Sequence, residues 1–300
     1  MMRLIALLSV LVAFEARAAA LTTPAIAGVV KAGTPIEIIG ESFEGTEGPL
    51  GLADGSLLFT ENRAGRVSRV APDGTVSAFL SNPAGPNALA VNAAGDIVAT
   101  LITQPAVAVI HPAEHAVELV EQVDGKSLNR PNDLVAGRKG GVYFTDPGGL
   151  RKPGEAAPVS SIYYISPRNE LHVIDRSVEL PNGIQLSPDE KILYVANTRG
   201  EHVLAYDVTT EGVVANRRDF AAAAGVDGLA VDAEGRLYVA SSAGVQVFDS
   251  KGAALGVIEL PKRPQNLAFA GKKKRDLFVV GQGTVYRIHT RTHGILSRAK

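Results

Sequence analysis

The chain has no cysteine, so it forms no disulfide, offers no thiolate nucleophile and builds no zinc–thiolate site. Cysteine usage therefore says nothing about its redox compartment. Excess charge of either sign is missing as well: 30 Lys and Arg stand against 31 Asp and Glu, a formal net charge of -1. Such a surface has no broad field to attract nucleic acid or an anionic membrane, which leaves a small molecule as the expected partner. Nothing in the composition reports the oligomeric state. No Gly-x-Ser-x-Gly elbow, phosphate-cradling glycine loop or dinucleotide fingerprint occurs, and serine-hydrolase and nucleotide chemistry thereby lose support.

A membrane-length apolar run is lacking too. The run from Leu4 to Phe14 follows Arg3 and gives way to Ala16-Arg17-Ala18 and Ala19-Ala20. As a helix it rises only about 16 Å, roughly half the hydrocarbon thickness. This is the pattern of a secretory signal. Residues 1–20 are read as a signal peptide and residues 21–300 as one domain. The expected location is periplasmic or secreted, with no membrane attachment after cleavage.

What the chain does contain is an ample core, 46% hydrophobic residues, and 31 glycines for tight turns. It also contains one pattern six times: Glu47 to Thr60, Asn87 to Thr100, Asn132 to Thr145, Asn182 to Ala196, Asp227 to Ala240 and Asn266 to Val280. Each copy has a polar opening residue, a short apolar strand, a turn rich in Gly, Asp, Asn or Lys, and a second strand. Successive openers lie 39 to 50 residues apart, the length of a four-stranded propeller blade. The spacing predicts an all-β, six-bladed β-propeller. The fifth unit reads as four strands, Leu229 to Val231, Leu237 to Ala240, Val245 to Phe248 and Ala254 to Glu259. After Asn266 only three strands fit, so the ring is expected to close by pairing Pro35 to Ile39 with the last blade, which removes an open edge.

In a propeller the innermost strands run along the central channel, so the six openers are expected to meet on one rim. Two carboxylates and four amides form a set of hard oxygen donors, which suits calcium better than zinc or copper. Another divalent cation stays open. For any single opener, a plain turn role explains Asn or Asp equally well. The shared phase in six units, and Glu47 at a position where glutamate is a poor turn residue, favour a metal site.

Taken with Glu47-Gly48-Pro49, the stretch Gly125 to Leu134, Phe144-Thr145-Asp146-Pro147, Pro181-Asn182-Gly183-Ile184 and Asp227-Gly228, the chain resembles the SMP-30/gluconolactonase/luciferin-regenerating family. The likeness runs over about residues 36 to 290. It implies a six-bladed calcium propeller whose ligands are Glu47, Asn132, Asn182 and Asp227, with Asp227 also the catalytic base or water activator. Arg130 corresponds to a substrate-contacting arginine of some members, and Asn87 and Asn132 would line the substrate with it; an ordinary surface charge is the other reading of Arg130. The implied activity is calcium-dependent opening of a sugar or related lactone. A propeller that binds a polyol or acid without turnover, and a phosphotriester hydrolase, are the alternatives. Glu61 and Asp146, one layer out from the channel, are candidates to orient inner ligands.

Two further motifs have plainer structural roles. His111-Pro112-Ala113-Glu114-His115 has the letters of an inverted zincin site, but Pro112 and the flanking strands point to a hairpin turn. Lys272 to Arg275 reads as a solvated turn of the last blade rather than a nucleic-acid patch.

Export predicts a mature chain that begins between Ala19 and Leu21. Mass spectrometry of protein from the native host checks this, and an intact Met1 in the cytosolic fraction would overturn it.

Overall fold

The computed structural model describes residues 20–81, 84–148 and 159–298. The signal segment expected over residues 1–20 lies outside them apart from Ala20. Six antiparallel four-stranded sheets are present, each meandering from an inner to an outer strand. The inner strands, Thr46–Gly51, Pro86–Val91, Leu134–Ala136, Pro181–Leu186, Leu229–Val231 and Asn266–Ala270, touch one another in cyclic order. This is the expected six-bladed propeller.

Blade five consists of Leu229–Val231, Leu237–Ser241, Gly244–Phe248 and Ala254–Ile258, in close agreement with the strands read from its alternation. Blade six supplies three strands of its own and takes its outer strand, Ile36–Gly40, from the other end of the chain. Ile36 pairs with Ile288 and Glu37 with Arg287. Both isoleucines are buried, and the Arg287 guanidinium donates to the Glu37 carboxylate. The ring is thus closed by pairing of the two ends, as expected.

A propeller sheet has no solvent face, because each blade packs on a neighbour at both sides, and this explains why the second strands lack polar alternation. In Leu57–Glu61 all five residues are buried. Leu57 and Phe59 pack toward blade six, whereas Leu58 packs toward blade two. Blade three divides likewise, with Tyr143 facing blade four and Phe144 facing blade two. The core is therefore six apolar clusters, one in each gap between blades. Outer strands such as Val76–Ser81 and Leu171–Asp175 are only partly covered.

Around the axis the blades are joined by hydrogen bonds. Thr60, Thr100 and Thr145 stand one residue before the ends of the second strands of blades one to three. Their Oγ1 atoms donate to the carbonyls of the next blade's opener: Asn87 at 2.9 Å, Asn132 at 2.7 Å and Asn182 at 2.7 Å. Alanine or valine fills that place in the other blades, and the backbone takes over. Gly183 N–H donates to the Asp227 carbonyl at 3.1 Å and Gly228 N–H to the Gln265 carbonyl at 2.8 Å. Gln265 and Asn266 complete the circuit by donating to the Glu47 carboxylate.

The segment from His111 to His115 is a turn, as expected, a single 3₁₀ turn at Ala113–His115 between strands Ala106–His111 and Val117–Val120. His115 contacts Asp96 at 2.8 Å. The turn at Lys272 to Arg275 departs from expectation. Lys274 is buried, and its ammonium donates to the Arg298 carbonyl at 2.5 Å. Burial first, and Arg298 second, push the Lys274 amine down to about 8. The cause is the C-terminal tail, which folds back over this turn. The buried Arg298 guanidinium donates to the carbonyls of Leu186 and Ser187 and to the side chains of Gln185 and Glu190.

Replacing Thr100 by Val removes the hydroxyl that bridges Asn132 O and the Ala88 N–H at nearly constant volume. Asn132 O keeps the Asn87 amide as a donor, so stability should fall by about 1–3 kcal/mol, the cost of leaving the buried Ala88 N–H unmet. Urea unfolding at unchanged m measures it; an unchanged midpoint would show that the circuit of bonds adds nothing.

Candidate active site at the mouth of the channel

Three of the openers lie at local breaks in pairing. Register shifts fall between Glu47 and Leu50, between Pro86 and Ala88, and between Pro181 and Ile184. Such bulges bend the strand and re-aim its side chains. The glycines that follow three openers have a different purpose from the turns suggested by sequence. A Cβ on Gly183 would lie 2.2 Å from the Asp227 carbonyl, one on Gly228 2.2 Å from Asn266 Oδ1, and one on Gly48 2.4 Å from the Asn87 carbonyl. Glycine is required there because neighbouring inner strands converge at the axis.

The result is an open cavity of about 1110 Å³ at one end of the channel. Glu47, Asn87, Asn132, Asn182 and Asp227 all line it, and so does Arg130. Asn266 does not join them. Its Nδ2 donates to Glu47 Oε2 at 3.4 Å and its Oδ1 accepts the Leu267 N–H at 2.9 Å, so the sixth opener supports Glu47 from behind. The expectation that all six openers face one centre is corrected to five.

Within the cavity the amides are tied together. Asn62 Nδ2 donates to Asn87 Oδ1 at 2.8 Å, and Asn87 Nδ2 donates to Asn132 Oδ1 at 3.1 Å. Asn87 thereby orients Asn132. Glu47 is held by Gln265 Nε2 at 3.1 Å, and Gln265 is itself fixed through its Oε1 by the Gln282 N–H at 2.8 Å. Asp227 keeps part of its surface open to the cavity, yet protein encloses it closely enough for desolvation to dominate. That desolvation, and next the Glu47 carboxylate, push its carboxyl well above the usual carboxylate range. The Arg263 guanidinium and a hydrogen bond with Asn182 oppose them.

An Asp227 carboxyl whose proton affinity the Glu47 carboxylate helps to raise, beside amide oxygens, makes a place for a cation. Positive charge between the two carboxylates relieves the repulsion, and the remaining donors are all oxygen. Among the described residues no group of three or more His, Cys, Asp and Glu stands together, so a thiolate- or imidazole-based centre has no counterpart here. Glu47, Asn132, Asn182 and Asp227 are the residues that fit a hard divalent ion.

The outer carboxylates act on loops. Asp146 accepts the N–H groups of Asn129 at 2.8 Å and Arg130 at 2.7 Å, and it thereby fixes the segment that carries Arg130 and Asn132. Burial raises its carboxyl against these bonds. Glu61 lies beside Arg66 and Ser68 and accepts the Glu44 N–H at 3.1 Å, which pins the approach to Glu47. Burial would raise the Glu61 carboxyl, but those partners hold it below the usual range. Arg130 itself is exposed at the rim. Gln265, Asn62 and the buried Asp133, which accepts the Ile184 N–H at 3.2 Å, were not apparent from the repeats. Only the position of Gln265 directly before an opener, and of Asp133 directly after one, could have drawn notice.

Residues 45–282 match the SMP-30/Gluconolactonase/LRE-like region. The chain belongs to this family. It is 31% identical to a gluconolactonase of Zymomonas mobilis over 91% of this chain and 86% of that protein. It is 26% identical to a lactonase of Staphylococcus aureus over 70% of this chain and 68% of that one. A solved gluconolactonase from Xanthomonas campestris superposes with a TM-score of 0.79 at 30% identity, covering 92% of this chain and 99% of that structure. A calcium-binding protein, regucalcin, of Agrobacterium tumefaciens shares the fold with a TM-score of 0.73 at 18% identity, over 90% of this chain and 95% of that one.

Proposed function

We propose that the chain is a hydrolase that opens a sugar or related lactone with the help of a calcium ion at the cavity floor. The observation that carries this reading is the pairing of Glu47 and Asp227 with the amides of Asn132 and Asn182 in an open, solvent-reachable cavity. Lactone-hydrolysing relatives that span most of the chain support the substrate class. The oxygen-only donor set, and the calcium-binding description of a protein with the same fold, support the ion.

Glu47, Asn132, Asn182 and Asp227 would hold the ion, and its chemistry there is Lewis-acid polarisation of a carbonyl with stabilisation of developing negative charge. Asp227 orients the attacking water and accepts its proton. The water oxygen bonds to the acyl carbon, the ring C–O bond breaks, and the proton passes to the departing alkoxide, leaving a hydroxy acid. A carboxylate beside a cation is a weak base, and a lactone is reactive enough for a weak base to serve. Arg130 holds the substrate at the rim, while Asn87 keeps Asn132 in place.

Metal-depleted protein should melt at a higher temperature as calcium is added, because an ion bound only to the folded state contributes about 2.7 kcal/mol at a hundred times its dissociation constant. Identical melting curves with and without calcium, together with no metal in the native sample, would remove the ion from this site.

Asp227→Asn keeps an oxygen donor and the side-chain size but cannot accept a proton. Assayed with saturating calcium, kcat should fall by roughly a hundredfold or more, the range of a positioned acid or base. Arg130→Ala should mainly raise KM, because it removes binding common to substrate and transition state. Rates are corrected for spontaneous lactone opening. Near wild-type turnover by Asp227→Asn would falsify the role of the carboxylate, and a parent protein inert on every lactone would make this a binding propeller.

A further inference from the structure

The cavity carries more positive charge than a neutral sugar lactone needs. Arg63, Arg130, Arg199 and Lys262 line it, against Glu179 and the two floor carboxylates Glu47 and Asp227. Two of the four cations are matched: Arg199 lies 3.7 Å from Glu179, and Lys262 lies 3.0 Å from Glu41. The guanidiniums of Arg63 and Arg130 hydrogen-bond no side chain among the described residues, and both residues are exposed. They stand on different blades. Arg63 follows the second strand of blade one, next to Asn62, whose amide reaches Asn87. Arg130 precedes the inner strand of blade three, its backbone fixed by Asp146. Both loops are thus anchored, although their charged ends have no counterion among the described residues.

This distribution separates two charges. The floor is acidic and takes a cation, and once that cation is bound the mouth above it keeps a positive excess. A planar guanidinium with unused donors recognises carboxylate or phosphate in a two-pronged manner. We infer that the substrate is an anionic lactone, whose carboxylate or phosphate, remote from the reacting ester, is received by Arg63 and Arg130. This rests on the lactonase reading and specifies its substrate class. Arg63 is then the residue that selects for charge. The same mouth hastens the approach of such a substrate by electrostatic attraction that salt screens.

The test compares gluconolactone, which is neutral, with glucarolactone, which keeps a free carboxylate, and phosphogluconolactone, using the calcium-loaded full protein. At low ionic strength kcat/KM for at least one charged lactone should exceed that for the neutral one by about tenfold or more, and the advantage should shrink as salt is added. Whichever charged lactone leads identifies the group received. Arg63→Gln should lower the charged-to-neutral ratio of kcat/KM by about three- to tenfold. A merely structural role for Arg63 would lower both rates and leave the ratio intact. Equal or poorer use of both charged lactones by an enzyme that opens the neutral one overturns the inference while the lactonase reading stands. If no lactone is opened, that reading fails, and calorimetry with glucarate decides the anion site by itself. Binding that is weakened by Arg63→Gln upholds the site, and absence of binding, or equal affinity in the variant, removes it.

Discussion

Convergence of the six inner strands on one axis is the constraint from which the rest of this molecule follows. Backbones meet there so closely that a methyl group on Gly48, Gly183 or Gly228 would penetrate the neighbouring blade. The same closeness lets one blade hydrogen-bond the next, through threonine hydroxyls in the first half of the ring and glycine amides in the second. Such a circuit has no free end only if the outermost sheet is complete as well. Pairing of Ile36–Gly40 with Thr284–His289 achieves this and ties the chain's two termini into one blade.

Convergence also decides which side chains are available for chemistry. Each opener reaches the axis at a bulge or a strand entrance. Five of the six are left facing solvent in a cavity whose walls are the blade ends. Glu47 and Asp227 are gathered by anchoring. Gln265 and Asn266 hold Glu47, Asn182 bonds Asp227, and Asp146 and Glu61 fix the loops alongside. A preorganised site of this kind places its strain where a cation can relieve it, on a scaffold whose six apolar cores resist collapse of the pair.

The fold was legible because its information is local and repeated. Opener, strand, turn and second strand recur in phase, and each recurrence restates the blade. The ring closure was legible from a deficit, since a three-stranded last blade requires a partner for its edge. The axis was less legible. Asn266 carries the same opener chemistry as Asn132, but its amide is taken up by Glu47 across the blade-six to blade-one gap and by the Leu267 N–H. Lys274 reads as one of four cations in a turn, and its burial depends on Arg298 returning from the C-terminal tail. Composition assigns the glycines to tight turns, whereas those after the openers matter for the missing Cβ. In each case the deciding neighbour is far away in sequence, where no local pattern reports it.

The two halves of the site's electrostatics answer different demands, and the architecture keeps them apart. Carboxylates on the floor come from inner strands, whose positions are fixed by the closure of the ring. Cations at the mouth come from loops that join strands on the same end, and these can vary without disturbing the axis. Glu47 therefore requires Gln265, Asn266 and the blade-six contact, whereas Arg63 requires only a short turn anchored at Asn62. A charge at the mouth can change the preferred substrate at little risk to the fold. The Glu47 charge cannot change without altering the contact between blades six and one. Selectivity is on this account a property of the loops, and reactivity a property of the ring.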